Sequence, residues 1–267
     1  MNSGEILLVR HGADDESYID GEFNTNLTNE GILQSRKMAK EVIKILNRNK
    51  VIDEVQMYIS DKKRSMETYE IIRDGLEKHS YQHTLSIDSR LCGLREGNII
   101  NAESKNYQQK SDMLNSAWYV FDQARLNNNN NYHFGDPVLD GAYHKSIDDL
   151  IEYPYGESQN EFSNRVYYAL SDMLSNTSVD KPSIVITHRG PISKIKHFID
   201  SCNQSQSTEW HTNNELLKLD YSVVMELSVQ DTIFCSNILK NYLDKKKHIP
   251  NTTSNTARTD ISSRNLI

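Results

Sequence analysis

The sequence lacks an excess of basic residues, and this excludes one broad class of partner. Its formal net charge is −7 at pH 7, so the basic surface of a general nucleic-acid-binding protein is missing and we expect no nucleic-acid partner. An anionic small molecule remains a suitable ligand, because a local pocket can be positive on an acidic protein.

Cysteine is scarce, and long apolar runs are absent. The three cysteines, Cys92, Cys202 and Cys235, are widely spaced and form neither a metal-binding pattern nor a disulfide framework, which favours a reducing, cytoplasmic location. No stretch approaches the length of a transmembrane helix. Glu5 and Arg10 interrupt the apolar run near the N-terminus, which is too short for a signal peptide. We therefore expect no membrane partner.

The apolar residues make up only 37% of the chain, but they are clustered into recognisable elements. Alternating or continuous apolar patterns predict strands over 5–10, 55–60 and 84–91. Helical periodicity predicts helices over 28–47 and 62–79, with Leu33 on the buried face of the first. This strand–helix alternation is typical of an α/β fold with a parallel sheet and helices on its faces.

The second half of the chain is less regular. We interpret residues 98–152 as an insertion or cap beside the sheet, with a packed helix around its aromatic residues. Residues 183–187 form a short, fully apolar strand of the kind found at the centre of a parallel sheet, and 216–229 should supply one or two more strands. We expect a single domain over 1–244 and a polar, mobile tail over 245–267.

Two predicted strands end in similar sequences. The first ends in Arg10-His11-Gly12 and the later apolar strand ends in His188-Arg189-Gly190. Ligands of open α/β sheets bind beyond the carboxyl ends of the strands, so the two histidines are expected to meet there. A glycine beside each histidine would let a substrate approach the backbone.

A third cationic residue belongs to the same end of the sheet. Arg64 lies in the first turn of the helix that follows the second strand, and a helix N-terminus favours an anion. Arg10, Arg64 and the two imidazoles would together form a pocket for a phosphoryl group. Arginine suits that task because its planar fork binds phosphate oxygens in pairs.

Several segments in order resemble one known family. They read LLVRHGADDE, LTNEGILQSRKMA, YISDKKRSMETYEII, YGESQNEFSNRV and IVITHRGPISKI. This order is similar to that of the histidine phosphatase superfamily, also called the phosphoglycerate mutase-like family, and the likeness covers most of residues 5–200. RHG alone recurs by chance, whereas the ordered set is specific.

The resemblance implies a doubly wound, mainly parallel sheet and a phosphohistidine mechanism that needs no metal or cofactor. His11 matches the nucleophile that takes the phosphoryl group. Arg10, Arg64 and His188 match the groups that hold its oxygens. A small phosphorylated molecule would be the substrate, and covalent transfer to an imidazole would split one difficult step into two.

The proton donor depends on how one stretch is aligned. The family usually supplies a carboxyl group after the third strand in a pattern like L-x-E. Matching Leu94-Arg95-Glu96 makes Glu96 the acid, whereas matching Arg90-Leu91 puts Gly93 at that position and leaves no acid. We favour Glu96, because a carboxyl group in a pocket can have its pKa raised enough to act as a general acid.

The chain departs from the family pattern at the substrate side. Many members place an asparagine several residues after RHG, whereas here Ser17 stands near that position and Asn24 lies further on. The second histidine is usually followed by glycine or aspartate, and here it is followed by Arg189, which either contacts substrate or points away. These three residues are candidates for substrate binding.

Four acidic residues have alternative interpretations. Asp14, Asp15 and Glu16 would either form a metal site with the histidines or, as we favour, line a solvated loop edge. Glu157 either caps the helix that follows it or borders the site.

We interpret the chain as a phosphatase that hydrolyses a phosphate monoester through a phosphorylated His11. A phosphomutase would use the same residues and is the first alternative. A catalytically impaired binding or scaffold protein of the same fold is the second, supported by the uncertain acid at Glu96 and the unusual Arg189. The substrate and the oligomeric state stay open.

Overall fold

The computed structural model describes thirteen stretches of the chain: 4–15, 25–50, 54–99, 107–127, 129–134, 136, 138–139, 142–143, 151–178, 181–204, 221, 224–230 and 232–247. The strands in these stretches are β1 (Gly4–Arg10), β2 (Glu54–Ile59), β3 (Gln82–Ile87), β4 (Gly97–Ile99), β5 (Val138–Leu139), β6 (Ala142–Tyr143), β7 (Ile151–Tyr155), β8 (Ser183–Thr187) and β9 (Val224–Val229). The helices are α1 (Asn29–Arg48), α2 (Lys63–Lys78), α3 (Tyr107–Leu126), α4 (Gln159–Asn176), α5 (Arg189–Gln204) and α6 (Thr232–Lys247), with a short 3₁₀ turn at Ser89–Leu91.

The main sheet has five strands in the order β3-β2-β8-β1-β9. The first four are parallel, and β9 pairs antiparallel with β1 at the edge. The predicted α/β fold with a mainly parallel sheet is therefore confirmed. β8 lies between β1 and β2, with Arg10 opposite Thr187 in the register, so the ends of β1 and β8 coincide at the switch in strand order.

Helices cover both faces of this sheet, because successive side chains of each strand point to opposite sides. Leu7 and Val9 of β1 pack with apolar residues of α1 and α2. Ile6 and Leu8 pack on the other face with α4, α5 and α6. The doubly wound arrangement implied by the family resemblance is thus present.

The helix predicted over 28–47 is confirmed as α1. Thr28 caps it, since its hydroxyl accepts a hydrogen bond from the backbone N–H of Gly31 at 3.0 Å. The expected burial of Leu33 is wrong: the residue is 58% exposed. The buried stripe of α1 runs through positions such as Ser35 and Val42, and Leu33 lies off that stripe.

A third apolar cluster surrounds α3. Phe121 contacts Trp118 and Phe134 in tilted or edge-on ring pairs, which confirms a packed helix around these aromatic residues. Parts of the predicted insertion, including 100–106 and 144–150, lie outside the described residues, as do 248–267 of the predicted tail and most of 205–223. Among the helices of the described stretches, none combines the length and apolarity needed to cross a membrane.

Candidate active site

The structure brings His11 and His188 together at the ends of two neighbouring strands. The backbone N–H of His11 donates to the carbonyl of Thr187 at 3.0 Å, which continues the β1–β8 ladder by one residue. The two ring centroids are 4.8 Å apart and the rings lie edge to face. Each histidine is only 5% exposed, so both imidazoles lie at the base of the site rather than on its rim.

Arg64, at the start of α2, bridges the two rings. Its Nε donates to Nε2 of His11 and its Nη2 donates to Nδ1 of His188, each at 3.2 Å. Thr68, one turn further on, donates to the carbonyl of Arg64 at 2.8 Å and accepts from the N–H of Gly12 at 3.2 Å. The first turn of α2 is therefore tied to the loop that carries His11.

The hydrogen bonds fix which nitrogen of each ring carries the proton. Nδ1 of His11 lies 2.7 Å from the carbonyl of Gly12, which can only accept, so Nδ1 is the donor and Nε2 keeps its lone pair. Arg64 can only donate, so Nδ1 of His188 is an acceptor. The Nε2–H of His188 then donates to the hydroxyl of Ser60 at 3.0 Å.

Burial and neighbouring cations keep both rings neutral. Burial, followed by the charge of Arg64, lowers the pKa of His11 to about 3, although the bond to Gly12 opposes this. Burial also holds the pKa of His188 well below its usual value, with further contributions from His11 and Arg64. Nε2 of His11 therefore stays unprotonated over the ordinary pH range.

Asp14 faces the same guanidinium, which corrects one expectation. Its Oδ2 lies 3.6 Å from Nε of Arg64, its side chain is only 8% exposed, and Thr25 donates to it at 2.8 Å. Asp14 is therefore not part of a solvated loop edge, because it forms a bridge with Leu27, whose N–H donates to Glu67 of α2. Asp15 is exposed as expected, and Glu16 lies outside the described residues.

Arg10 is held from the side by an aromatic ring. Its guanidinium carbon lies 3.8 Å from the centroid of the Tyr221 ring, within the range of a cation–π contact. The same ring is 5.8 Å from that of His11. The charge of Arg10 contributes to lowering the pKa of both histidines, so Arg10 belongs to the site. Sequence reasoning assigned no role to Tyr221.

Glu96 lies immediately before β4, and its carboxylate contacts Trp118. Trp118 donates from its indole N–H to Oε1 of Glu96 at 3.2 Å. Burial raises the pKa of Glu96 to about 7, while the Trp118 bond and the charge of Arg64 act in the opposite direction. A carboxyl group of this kind is partly protonated at neutral pH. Gly93, the position that the alternative alignment gave to the acid, packs beside His188: a Cβ on it would lie 4.0 Å from Cγ of that ring.

Of the remaining substrate-binding candidates, the structure describes Arg189. Arg189 is the first residue of α5 and is exposed. Ser17 and Asn24 lie outside the described residues. Across the stretches that the structure describes, no group of three or more His, Cys, Asp or Glu side chains is arranged to hold a metal ion.

The space beside Gly12 and Gly190 was expected to be open to a substrate, but neighbouring protein atoms fill it. A Cβ on Gly12 would lie 2.3 Å from the carbonyl oxygen of Gly31 at the start of α1. A Cβ on Gly190 would lie 2.9 Å from the ring of Phe162 in α4. These two glycines allow helices to approach closely and thereby fix the loops that carry His11 and His188.

Glu157 does not cap α4. The cap is Ser158. Its hydroxyl accepts from the backbone N–H of Glu161, and the Glu161 carboxylate accepts from the backbone N–H of Ser158. Glu157 instead forms an ion pair with Arg165, with atoms 2.6 Å apart, and both side chains are largely buried. Of the two alternatives for Glu157, the capping role is therefore wrong.

The fold and the site define an α/β protein with a two-histidine, arginine-bridged centre at the carboxyl edge of its sheet. The model of the histidine phosphatase superfamily (branch 1) matches residues 6–129. Over these residues the chain is similar to this superfamily.

Solved structures with a similar fold include two phosphatases of low sequence identity. A mycobacterial glucosyl-3-phosphoglycerate phosphatase is 16% identical, with a TM-score of 0.46 and coverage of 74% of this chain and 80% of that one. The ecdysone phosphate phosphatase of Bombix mori, in complex with tungstate, is 14% identical, with a TM-score of 0.45 and coverage of 84% and 88%. No curated protein matches the sequence.

Proposed function

We propose that the protein hydrolyses a phosphate monoester through a phosphohistidine formed on His11. The observation that carries this proposal is the guanidinium of Arg64, which donates to both buried imidazoles at 3.2 Å. A phosphoryl group placed between the rings would take over these donors through its oxygens. The match of residues 6–129 to the histidine phosphatase superfamily supports the same assignment.

In the first half-reaction, Nε2 of His11 attacks phosphorus and the bond from phosphorus to the ester oxygen breaks. The Nδ1–H bond to Gly12 keeps the ring oriented and supports the positive charge that develops on it. Arg10, Arg64 and His188 surround the transferring oxygens and offset their charge. The dianionic group raises the pKa of His188, which favours a proton on the nitrogen that faces it.

Glu96 supplies the proton that the leaving alkoxide needs. Its raised pKa, about 7, keeps a fraction of the acid form at neutral pH. In the second half-reaction, a water molecule attacks the phosphohistidine and gives a proton to the Glu96 carboxylate. Inorganic phosphate leaves, and both His11 and Glu96 return to their starting states.

Labelling with a ³²P-phosphate ester, quenched in alkali because phosphohistidine is acid-labile, tests this proposal. We expect label on the wild-type protein and on the His79→Gln control, whose histidine is exposed just after the C-terminal end of α2. We expect none on His11→Gln. A wild-type protein without label would instead support a scaffold protein.

Product analysis separates hydrolysis from a mutase reaction that uses the same residues. We expect free phosphate, released at the same rate with a metal chelator present. An isomerised phosphate ester without free phosphate would replace the phosphatase assignment with that of a mutase. Loss of activity in the chelator would reject the metal-independent mechanism.

A further inference from the structure

Arg165 and Glu157 form a largely buried, bidentate ion pair. Nε of Arg165 donates to Oε1 of Glu157 at 2.7 Å, and Nη2 donates to Oε2 at 2.6 Å. The two side chains are 9% and 13% exposed, so solvent screens the pair weakly. Such parallel bonds fix the guanidinium plane as well as its position.

The remaining donors of Arg165 reach the backbone that leads to the candidate acid. Nη1 donates to the carbonyls of Arg90 and Cys92 at 2.7 and 3.1 Å, and Nη2 donates to that of Gly93 at 2.8 Å. Together with the two bonds to Glu157, these contacts match the five N–H donors of a guanidinium. The Arg165 side chain therefore binds three backbone carbonyls within residues 90–93.

Glu157 holds the same segment on its far side. Its Oε2 accepts from the backbone N–H of Arg95 at 3.1 Å, and its own N–H donates to the carbonyl of Arg95 at 2.8 Å. Gly156 adds close contact, because a Cβ there would lie 2.4 Å from that carbonyl oxygen. The fastened segment, residues 90–95, thus ends one residue before Glu96.

The fastened segment also borders the second histidine. A Cβ on Gly93 would lie 4.0 Å from Cγ of His188, which is ordinary contact distance. The hydroxyl of Thr187, one residue before His188, donates to the carbonyl of Leu91. Residues 90–95 therefore connect Glu96 to the backbone beside the His188 ring, in addition to the hydrogen bond that Trp118 donates to the Glu96 carboxylate.

We propose that Arg165, locked by Glu157, is a positioning residue that holds Glu96 at the distance needed to protonate the leaving group. This rests on the proposed function and adds a residue that acts through the backbone of 90–95 without touching substrate. Loosening the segment should harm the proton transfer most, because general acid catalysis requires hydrogen-bond reach to the leaving oxygen. Binding of the phosphoryl group by Arg10 and Arg64 should be affected little.

Two variants, called the lock variants below, weaken the Arg165–Glu157 ion pair in different ways. Arg165→Lys keeps the charge but replaces the planar fork by a point donor, which cannot hold Glu157 and three carbonyls together. Glu157→Gln removes the charge that orients Arg165 and leaves its carbonyl bonds available. Arg73→Lys on the surface of α2 is the control, since its ion pairs lie within that helix.

The measurement compares kcat/KM for glycerol phosphate with kcat/KM for p-nitrophenyl phosphate, whose leaving group needs little protonation. We expect both lock variants to lose at least tenfold more activity on the alkyl ester, with vanadate inhibition within threefold of wild type. The control should keep both values. An equal loss on the two esters in both variants, or no loss in either, would overturn the proposal.

Failure of the proposed function has a different signature. If wild-type protein forms no phosphohistidine, or if His11→Gln keeps full activity, the phosphatase mechanism itself fails whatever the lock variants show. If His11 is labelled and the wild type hydrolyses both esters, an unchanged preference in both lock variants rejects only the role of Arg165. Should Arg165→Lys fail to fold, Glu157→Gln alone decides.

Discussion

His11 and His188 lie with their ring centroids 4.8 Å apart, although 177 positions separate them in the chain. They meet because β1 and β8 are neighbouring parallel strands that end at the same level of the sheet. Arg64 reaches them from the first turn of α2 and donates to a nitrogen of each. The site therefore has one imidazole whose unprotonated Nε2 accepts from Arg64, beside donors suited to an anion.

The pH dependence of catalysis should differ between two kinds of ester. Glu96 must be protonated to serve as general acid, and its pKa is raised to about 7. We expect kcat/KM for an alkyl phosphate to fall as pH rises above about 7, whereas kcat/KM for p-nitrophenyl phosphate should lack that fall. Both phosphate esters are dianions at alkaline pH, so a continuing fall of the alkyl-to-nitrophenyl ratio there reports the enzyme group. A pH-independent ratio would reject Glu96 as the donor.

Glu96 should also make stability depend on pH. Its pKa is about 7 in the fold against 4.5 as the reference value, so the fold favours the protonated carboxyl. Its contribution is fully present below pH 4.5 and is lost as pH rises through about 7. We expect Glu96→Gln to match wild type near pH 4 and to be up to about 3 kcal/mol more stable at pH 8. Urea unfolding at both pH values measures this, and a constant difference would contradict it.

The ring of Tyr221 should matter more than its hydroxyl. The guanidinium of Arg10 lies 3.8 Å from the ring centroid, and a cation–π contact contributes about 0.5 to 2 kcal/mol. We expect Tyr221→Ala to weaken vanadate inhibition by up to about 30-fold, while Tyr221→Phe stays close to wild type. Equal losses in the two variants would show that the hydroxyl, not the stacked ring, supports the site.

The close approach of α1 to the His11 loop should make Gly31 intolerant of a methyl group. A Cβ there would lie 2.0 Å from the backbone oxygen of Ala13, which cannot move aside cheaply. We expect Gly31→Ala to lower the free energy of unfolding by roughly 2 kcal/mol or more. Gly75→Ala is the matched control.

The control has room for the added methyl. Among the described residues, a Cβ on Gly75 would meet only the methyl of Ala39, at 3.4 Å, and alanine favours the interior of α2. We expect this variant to be unchanged or up to about 1 kcal/mol more stable. Chemical denaturation of both variants checks the pair, and similar effects at the two glycines would contradict the close-approach argument.

The sequence predicted the parts of the site in which an apolar strand runs directly into a polar motif. The ends of β1 and β8 carry His11 and His188, and the strand boundaries are visible from composition alone. Arg64 was found because it opens a helix after a predicted strand. Such residues are predictable because local pattern and strand direction together determine where they lie.

Other residues depend on contacts that no local pattern encodes. Asp14 was expected to be solvated, yet its carboxylate is buried against Arg64, with Thr25 donating to it and Leu27 bridging to its backbone. Tyr221 contacts Arg10 from the opposite end of the chain. Arg165 resembles any charged helix residue until its five bonds are seen. These roles arise from tertiary packing alone.

The isomer of the phosphohistidine tests the central claim most directly. The bond from Nδ1 of His11 to Gly12 leaves Nε2 as the attacking nitrogen. Phosphorus-31 NMR of the alkali-denatured phosphoenzyme, with mass spectrometry to locate the modified residue, should show phosphate on Nε2 of His11. Phosphate on Nδ1, on His188 or on another residue, or no phosphoenzyme at all, would contradict the account.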